Sequence, residues 1–390
     1  MQKNSVQLKP GKEKAILNHH HWIFSGAVSR LPKFSDGEIL PVLSSSGVML
    51  GSAYFNRKAG IVGRMVTFDS ESPLDAIRKS LEAAANYRLS LFNSGDTNAY
   101  RLINGEGDCL PGLVVDRYDD VFVVQISTLG MEKLKPLIVE WLKGKFSPKT
   151  IYEKSKISSR KEEGLEGVEG HLYGEEVQEV EIIENGLKFL VDVVGGQKTG
   201  FFCDHREMRK LIGNLSCGKR VLNCFAYSGG FTVYALAGGA ANVVSVDISG
   251  EAMEQAMKNV SLNGFQAVPN SFRAADVFEF LRKEPLDYDI VILDPPAFAK
   301  RQKDVVAACR GYKDINRIAM QKMPPGSWLL TCSCSYHVDE ELFQKVVFQA
   351  AVEAGRMVRI AGKHIMAPDH PVNICHPESD YLKSLLLYIQ

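Results

Sequence analysis

Two cysteines stand one residue apart near the C-terminal end of the chain, in the segment 331–335 (TCSCS). The apolar run Trp328 to Leu330 before them predicts a buried strand, so both thiols should lie where that strand ends. Alternation along the strand puts Cys332 and Cys334 on one face and does not choose between them. A reactive thiolate needs a depressed pKa and partial exposure, which favours Cys334, the cysteine further past the strand end.

A thiolate in this position suits one kind of methyl transfer. Carbon 5 of a pyrimidine is a poor nucleophile, and an enzyme that methylates it first adds a cysteine thiolate to carbon 6. Methylation of an exocyclic nitrogen needs no such residue. The alternative interpretation is that both cysteines are simply small residues at the end of a strand.

A carboxylate and two prolines, Asp294-Pro295-Pro296, follow another apolar run, Ile290 to Leu293. A plain turn that ends a strand is one explanation of an Asp-Pro pair. Asp-Pro-Pro after the fourth strand is also a pattern of nucleic-acid methyltransferases, in which the acid and the nearby backbone bind the target base. In that case Phe298 is predicted to stack on the base.

A glycine turn, from Asn223 to Phe231, follows the first strand of the same region. Its adjacent glycines, Gly229 and Gly230, allow the backbone to approach a ligand closely. The turn does not have the spacing of a dinucleotide-binding fingerprint, so it only weakly suggests a pyrophosphate.

Two acids complete the pattern. Asp247 ends the second strand about twenty residues after the turn, where a carboxylate can accept hydrogen bonds from both hydroxyls of a ribose. Asp276 follows a third predicted strand and is placed to contact an adenine amino group. The turn and the two acids together predict an adenosyl ligand without a diphosphate, which is S-adenosylmethionine.

Strands and helices alternate from Lys219 onward, which predicts a doubly wound α/β sheet. The predicted strands are Arg220 to Phe225, Val243 to Asp247, Ile290 to Asp294 and Trp328 to Cys332. A helix over Glu251 to Leu262 ends just before Gly264.

The first half of the chain has a different pattern. Residues 4–70 read as short strands broken by turns, and a helix over 73–91 follows, with Pro73 at its start. A hairpin joined by Asp119-Asp120 and a helix over 131–142 predict an α+β segment, while residues 155–174 are predicted to form a mobile loop or linker. The predicted domains are 1–72, 73–180 and 181–390.

Composition is that of an ordinary globular protein, with 390 residues, 45% of them hydrophobic, and a net charge of zero. Residues 1–70 nevertheless carry nine Lys and Arg against four Asp and Glu, which fits either a phosphate-binding module or a merely solvated basic face. The eight cysteines show no metal-binding or disulfide spacing, and no signal peptide or membrane span is evident. We therefore expect a cytoplasmic protein without a metal, a disulfide or a membrane partner.

At this point the sequence resembles, over nearly its whole length, the RlmI-like family of bacterial 23S ribosomal RNA cytosine-C5 methyltransferases. The segments 8–14 (LKPGKEK) and 22–26 (WIFSG) look like the start of the family's RNA-binding PUA barrel. The segments 196–207 (GQKTGFFCDHRE) and 311–316 (GYKDIN) are similar to two further family motifs. The resemblance implies a Rossmann-like class I methyltransferase domain preceded by a β-rich PUA barrel and a small α+β middle domain.

The resemblance also implies that Asp294 contacts a cytosine of 23S ribosomal RNA and that Cys334 attacks it, giving 5-methylcytosine. The predicted cofactor-binding residues are Gln197, Thr199, Phe202, Asn223, Phe225, Tyr227, Ser228, Gly229, Gly230, Asp247, Ile248, Asp276, Val277 and Asp294. The predicted RNA-binding residues are Lys9, Lys12, Lys14, Trp22 and Phe298.

Two departures from the family pattern matter. Asn223 stands where relatives often carry Asp, which is expected to loosen the hydrogen bonding of the turn, and the Asp-Pro-Pro motif lacks the second cysteine of other cytosine-C5 RNA enzymes. Product release then needs another base. The alternatives are a guanine-N methyltransferase of the same architecture and a catalytically silent RNA-binding or assembly factor, and Cys334 argues against the guanine enzyme. Whether the chain forms a homodimer is left open.

Overall fold

The computed structural model describes residues 4–92 and 95–390, so the first three residues of the predicted N-terminal domain lie outside it. The chain divides into two compact units. The first consists of Met1–Ile183, Val191–Cys203 and Pro368–Asp380, and the second of Glu184–Leu190, Asp204–Ala367 and Tyr381–Gln390. Among the described helices, none is long and apolar enough to cross a bilayer.

The first unit combines two sheets, each with its own hydrophobic core. Its strands and helices are β1 Val6–Leu8, α1 Lys14–Leu17, β2 Trp22–Phe24, β3 Val28–Arg30, β4 Glu38–Leu43, β5 Met49–Phe55, β6 Ile61–Thr67, α2 Pro73–Leu91, β7 Ala99–Asn104, β8 Leu113–Tyr118, β9 Val121–Ile126, α3 Leu129–Phe146, β10 Thr150–Lys154, α4 Ser159–Glu162 and β11 Glu169–Gly174. The six-stranded sheet has the order β2-β6-β5-β4-β1-β3, and the five-stranded sheet the order β11-β10-β9-β8-β7. The predicted β-rich N-terminal segment and the α+β segment after it are therefore both present.

The predicted hairpin is confirmed, and the predicted linker is wrong. β8 and β9 pair antiparallel across a turn in which Asp119 has a φ of 57°. Within residues 155–174, by contrast, β11 pairs antiparallel with β10 as an edge strand, and the carboxylate of Glu163 accepts hydrogen bonds from Asn56 and Arg64. The segment is poor in apolar residues because an edge strand exposes most of its side chains. Such a polar sequence is hard to distinguish from that of a loop.

β12 Glu179–Glu184 and β13 Leu187–Asp192 form a two-stranded sheet. The remaining elements are α5 Arg206–Leu215, β14 Arg220–Cys224, α6 Gly230–Ala237, β15 Asn242–Asp247, α7 Gly250–Leu262, β16 Asn270–Ala274, α8 Val277–Lys283, β17 Ile290–Leu293, α9 Val305–Lys322, β18 Trp328–Ser333, α10 Glu340–Glu353, β19 Val358–Lys363 and β20 Lys383–Ile389.

The second unit contains the predicted doubly wound sheet, in the order β16-β15-β14-β17-β18-β20-β19. The first five strands of this order run parallel, and β20 is antiparallel to both of its neighbours. The central strand β17 is a continuous, fully buried apolar run, as expected where helices cover both faces of a sheet, whereas the edge strand β16 is more polar. The carboxyl ends of the parallel strands consequently meet at one edge, where ligands bind in folds of this kind.

The predicted three-domain division and the two compact units differ in detail. Residues 191–203 belong to the first unit, although the predicted third domain begins at 181. Residues 368–380 also belong to the first unit, which no local sequence pattern indicated.

Candidate functional site

The glycine turn between β14 and α6 has an unusual backbone. Phe225 and Tyr227 have φ values of 59° and 46°, in the left-handed region that non-glycine residues seldom adopt, and Gly229 has a φ of 77°. Such strain persists only where the surrounding structure enforces it, and it is concentrated at functional sites. The strand predicted to extend to Phe225 therefore ends one residue earlier, at Cys224.

Asp247 holds this turn from the neighbouring strand. Its Oδ2 accepts the backbone N–H of Tyr227 at 3.0 Å, and its Oδ1 accepts that of Ser249 at 3.0 Å. Both oxygens are thus oriented at the carboxyl edge of the sheet, and the side chain is only half-buried. Each carboxylate oxygen can accept a further bond, so Asp247 is able to bind both hydroxyls of a ribose.

Asp276 caps α8, because its side chain accepts the N–H of Glu279 at 2.9 Å, and it remains exposed. It is therefore a capping residue that can still offer an acceptor to an adenine amino group. Ile248 is 74% exposed beside Asp247. Val277 packs into the core, so its side chain does not face a ligand.

The side chain of Asn223 lies beneath the glycine turn and is not exposed. The residue is fully buried, its Nδ2 donates to Thr232 Oγ1 at 2.9 Å, and that hydroxyl is 2.7 Å from Ser245 Oγ. A direct contact from Asn223 to the cofactor remains a prediction. The Nδ2 group ties β14 to the first turn of α6, while the buried Oδ1 accepts no side-chain or backbone hydrogen bond among the described residues, so the expected loosening of the turn also remains a prediction.

The sequence analysis missed Asn259. This buried residue of α7 donates from Nδ2 to the carbonyl of Ser228 at 2.8 Å and accepts the N–H of Leu190 at 2.8 Å. It fixes the carbonyl side of the turn, while Asp247 fixes the N–H side. An Asn on the buried face of a predicted helix was the signal that could have identified it.

Gly229→Ala is expected to damage the turn. A Cβ at Gly229 would lie 2.8 Å from the Cβ of Ala256, and the φ of 77° adds backbone strain. We expect a loss of stability of about 1–3 kcal/mol from overpacking, together with weaker cofactor binding. Thermal unfolding and calorimetric titration with S-adenosylmethionine measure the two effects.

Gly264→Ala is the matched control, because Gly264 has a φ of 76° and open space around the position of a Cβ. The two variants share the backbone strain and differ in the steric contact. Equal losses of cofactor affinity in both would show that close packing at Gly229 is not needed.

The structure separates the two thiols. Cys332 is fully buried in β18, and burial raises the pKa of its thiol to about 12, so it stays protonated at neutral pH. Cys334 follows the strand end and is half-buried, with its Sγ 3.9 Å from the carbonyl oxygen of Pro295. Cys334 is therefore the thiol that is accessible and adjacent to the Asp-Pro-Pro segment.

The loop around Cys334 is fixed from several sides. The Oγ of Ser335 accepts the N–H of Ala299 at 3.0 Å and lies 2.8 Å from the hydroxyl of Tyr312, which belongs to the GYKDIN motif. The buried ammonium of Lys383 donates to the carbonyl of Ser335 at 2.8 Å. These contacts hold the loop that carries Cys334 in place.

Phe298, predicted to stack on the target base, lies in an aromatic cluster. Its ring centroid is 4.6 Å from that of Tyr312 and 5.8 Å from that of Phe278. The ring is half-buried, so base stacking on its exposed part remains a prediction.

Asp294 lies at the end of β17 with its side chain 23% exposed, and its Oδ1 is 3.0 Å from Nε2 of His205. The other ring nitrogen, Nδ1, is 2.9 Å from Oδ1 of Asp204, whose second oxygen accepts the hydroxyl of Tyr381. Sequence reasoning quoted His205 only as part of a motif. Its pairing with Asp294, 89 positions away, could not be read from spacing.

The other predicted site residues belong to the first unit. Thr199 is buried, and its hydroxyl donates to Asp116 at 2.6 Å, so it has a structural role there. Gln197 is exposed, and Phe202 lies under the ammonium of Lys198, 4.5 Å from the ring centroid. The binding of these three residues to the cofactor remains a prediction.

Four of the five predicted RNA-binding residues, all except Phe298, lie at the start of the first unit. Lys12 and Trp22 line a cavity of about 440 Å³, and Lys9 donates to the carbonyl of Gly26 at 2.9 Å. Lys14, on α1, is exposed. These residues form an accessible, partly basic surface.

Among the described residues, two groups of side chains have residue types that metals bind. They are His20, His376 and Glu378 in the first unit and His205, Asp294 and Cys332 in the second. In the first group, Nδ1 of His20 accepts the N–H of Trp22, which puts the ring proton on Nε2, 3.2 Å from Glu378. That nitrogen then has no lone pair for a metal. The prediction that no metal binds remains a prediction.

Residues 155–364 match the family described as S-adenosylmethionine-dependent methyltransferase, and residues 6–68 match the family described as PUA-like domain. The curated relatives include the ribosomal RNA large subunit methyltransferase I of Shewanella denitrificans, 41% identical over 98% of both chains. The protein of the same name from Aliivibrio fischeri strain ES114 is 42% identical, over 97% of this chain and 98% of its own.

Solved structures show the same architecture. A methyltransferase complexed with SAH is 25% identical, with a TM-score of 0.85 over 99% of this chain and 100% of the other. A SAM-dependent methyltransferase from Streptococcus mutans has a TM-score of 0.84 at 24% identity, covering 98% of this chain and 99% of its own. The predicted fold class and the predicted cofactor are thereby confirmed.

Proposed function

The chain belongs to the ribosomal RNA large subunit methyltransferase I family of S-adenosylmethionine-dependent enzymes, and on this basis we propose that it methylates carbon 5 of a cytosine in 23S ribosomal RNA. The observation that carries the carbon-5 assignment is the half-buried thiol of Cys334, adjacent to the Asp-Pro-Pro segment. A nitrogen methyltransferase has no use for a nucleophile at this position. A ribosomal RNA substrate also implies a cytoplasmic enzyme.

The cofactor fits the second unit. S-adenosylmethionine supplies the methyl group when it is bound. Asp247 has both oxygens oriented at the carboxyl edge of the sheet, and Asp276 is exposed after the neighbouring strand β16. The turn after β14, on the other side of Asp247, has a left-handed backbone at Phe225 and Tyr227. These residues form the cofactor site that we propose.

The target cytosine would leave its stack to reach Cys334, as in other enzymes that act on a base. The thiolate adds to carbon 6, while Asp294 makes a hydrogen bond at N3 of the ring. Carbon 5 then takes the methyl group, a step whose rate depends mainly on the alignment of the two carbons. Loss of the carbon-5 proton and departure of the thiolate give 5-methylcytosine.

We assign the first contact with RNA to the surface that contains Lys9, Lys12, Lys14 and Trp22. Ammonium groups attract phosphates, and an indole ring can stack on an unpaired base. The match to a PUA-like domain over residues 6–68 supports this assignment. It also explains how a chain of zero net charge can bind RNA.

Labelled methyl transfer to ribosomal RNA, followed by nucleoside mass spectrometry, tests the proposed function. RNA from a strain that lacks the gene is expected to gain 5-methylcytosine, and RNA from the parent strain, already modified, is expected to gain very little. Methylguanine in place of 5-methylcytosine would contradict the carbon-5 assignment, and cofactor binding without any transfer would favour a silent RNA-binding protein.

A further inference from the structure

We propose that His205 is a positioning residue that delivers and recovers, through Asp294, the proton that N3 of the target cytosine needs while Cys334 is bound to carbon 6. The inference rests on the proposed function, because it requires a covalent adduct at carbon 6. It assigns a role to a histidine that the mechanism above does not use.

The hydrogen bonds of the His205 ring are the first observation that supports this role. His205 is buried, with Asp204 2.9 Å from Nδ1 and Asp294 3.0 Å from Nε2. A neutral imidazole has one N–H and can donate to only one of two carboxylates. Two such contacts therefore require one additional proton, carried either by the imidazole ring or by a carboxyl group.

The charges around the ring show where this proton is held. Burial alone lowers the pKa of His205, but Asp294 and Asp204 raise it by more, so the pKa lies well above its ordinary value. Besides these two acids, the polar groups near the ring include the thiol of Cys332, which stays protonated, and the hydroxyl of Tyr381, which bonds to Asp204. At neutral pH the ring is thus an imidazolium with one N–H directed at each carboxylate.

Asp294 connects this buried proton to the substrate, because it is partly exposed while His205 is not. Cytosine N3 is an acceptor, so an ionised carboxylate cannot bond to it. As the cytosine approaches, His205 passes its Nε2 proton to Asp294, which leaves a neutral imidazole bonded to Asp204 through Nδ1, and the protonated carboxyl group of Asp294 donates to N3. When the thiolate of Cys334 forms the bond to carbon 6, the ring electrons shift toward N3, which takes this proton and leaves Asp294 ionised.

The proton returns when the adduct breaks. After methyl transfer, a water molecule or hydroxide ion takes the carbon-5 proton, and the electron pair of that bond forms the double bond between carbons 5 and 6. The bond between carbon 6 and sulfur breaks at the same time, and its electron pair leaves with the thiolate. N3 then gives its proton back through Asp294 to His205. The pair is regenerated with no net gain or loss of a proton.

His205→Gln tests the proposal, because glutamine can hydrogen-bond to Asp294 but cannot store a proton. The readouts are single-turnover methyl transfer between pH 6 and 9 and covalent adduct formation on 23S RNA transcribed with 5-fluorocytidine. We expect a rate about 100-fold lower, as for loss of a general acid, with cofactor affinity within about twofold of wild type. His364→Gln, the same change at a histidine paired with exposed Glu340, is the control and should leave the rate unchanged.

The pH profile separates proton delivery from a purely structural role. The wild-type rate should fall as the pH rises and His205 loses its proton, whereas His205→Gln should lose this falling limb. In Asp204→Asn one of the charges that raise the pKa of His205 is gone, so the falling limb should move to lower pH. This second variant keeps the test valid if His205→Gln does not fold.

Three results would overturn the inference. The first is a His205→Gln enzyme with the wild-type rate and falling limb, and the second is a loss of rate that parallels an equal loss of cofactor binding. The third is an unmoved falling limb in Asp204→Asn. If the wild-type enzyme itself forms neither 5-methylcytosine nor an adduct, the proposed function fails as well. If only the inference about His205 fails, the wild-type enzyme still forms both, so the two failures can be distinguished.

Discussion

Replacing Cys334 with alanine is expected to abolish methyl transfer to ribosomal RNA, with a decrease of at least about 10³-fold in the single-turnover rate. Without the thiolate, carbon 5 of cytosine stays a poor nucleophile, and alignment with the cofactor alone cannot activate it. The cofactor site is built from other strand ends, so the affinity for S-adenosylmethionine should be unchanged. Methylation assays and calorimetric titration on the same preparation measure both quantities.

Cys332→Ala provides a matched control, because it removes the other thiol of the segment, which lies in β18 two residues before Cys334. The pKa of Cys332, raised to about 12 by burial, keeps that thiol protonated, so its loss should leave the rate nearly unchanged. Removal of a fully buried side chain should destabilise the fold modestly, by about 1 kcal/mol. If the alanine variant at 334 kept full activity and the variant at 332 lost it, the assignment of the nucleophile would be reversed.

The location of the site could be predicted from sequence because its residues follow uninterrupted apolar strands. Parallel strands that are buried on both faces are continuous apolar runs, and Asp247, Asp294 and Cys334 come at or just after the ends of three of them. Once the strands are assigned, the polar residues at their carboxyl ends must share one edge of the sheet. The choice of Cys334 over Cys332 depended on where the strand ends.

Contacts made between distant segments could not be predicted in this way. Nothing in the local pattern pairs His205 with Asp294, or directs Asn259 to the carbonyl of Ser228. Burial could not be read from the motif either, since the side chains of Asn223 and Val277, two predicted cofactor-binding residues, lie in the interior, and their contact with the cofactor remains a prediction. A residue that follows a motif in sequence can point to either side of the strand or helix that carries it.

Replacing Asp247 with alanine is expected to weaken S-adenosylmethionine binding by at least about 100-fold. The carboxylate accepts the backbone N–H groups of Tyr227 and Ser249 and is oriented to accept both ribose hydroxyls. A hydrogen bond to a charged group contributes about 1.5–3 kcal/mol, and about 1.4 kcal/mol corresponds to a tenfold change in affinity, so the loss of two such bonds accounts for the expected effect. Calorimetric titration with the cofactor and with S-adenosylhomocysteine measures it.

The strained turn makes this effect larger than that of an ordinary ribose contact. Tyr227 has a φ of 46°, and its N–H bond to Asp247 helps to hold that conformation, so the alanine variant should relax the turn as well as lose the ribose bonds. Asp287→Ala, which removes an exposed acid paired with Arg220, is the control and should leave cofactor affinity unchanged. Asp247→Asn should be intermediate, because its amide oxygen can still accept one of the two N–H groups. Wild-type affinity in Asp247→Ala would mean that the cofactor does not use this strand end, and the proposed cofactor site would have to be abandoned.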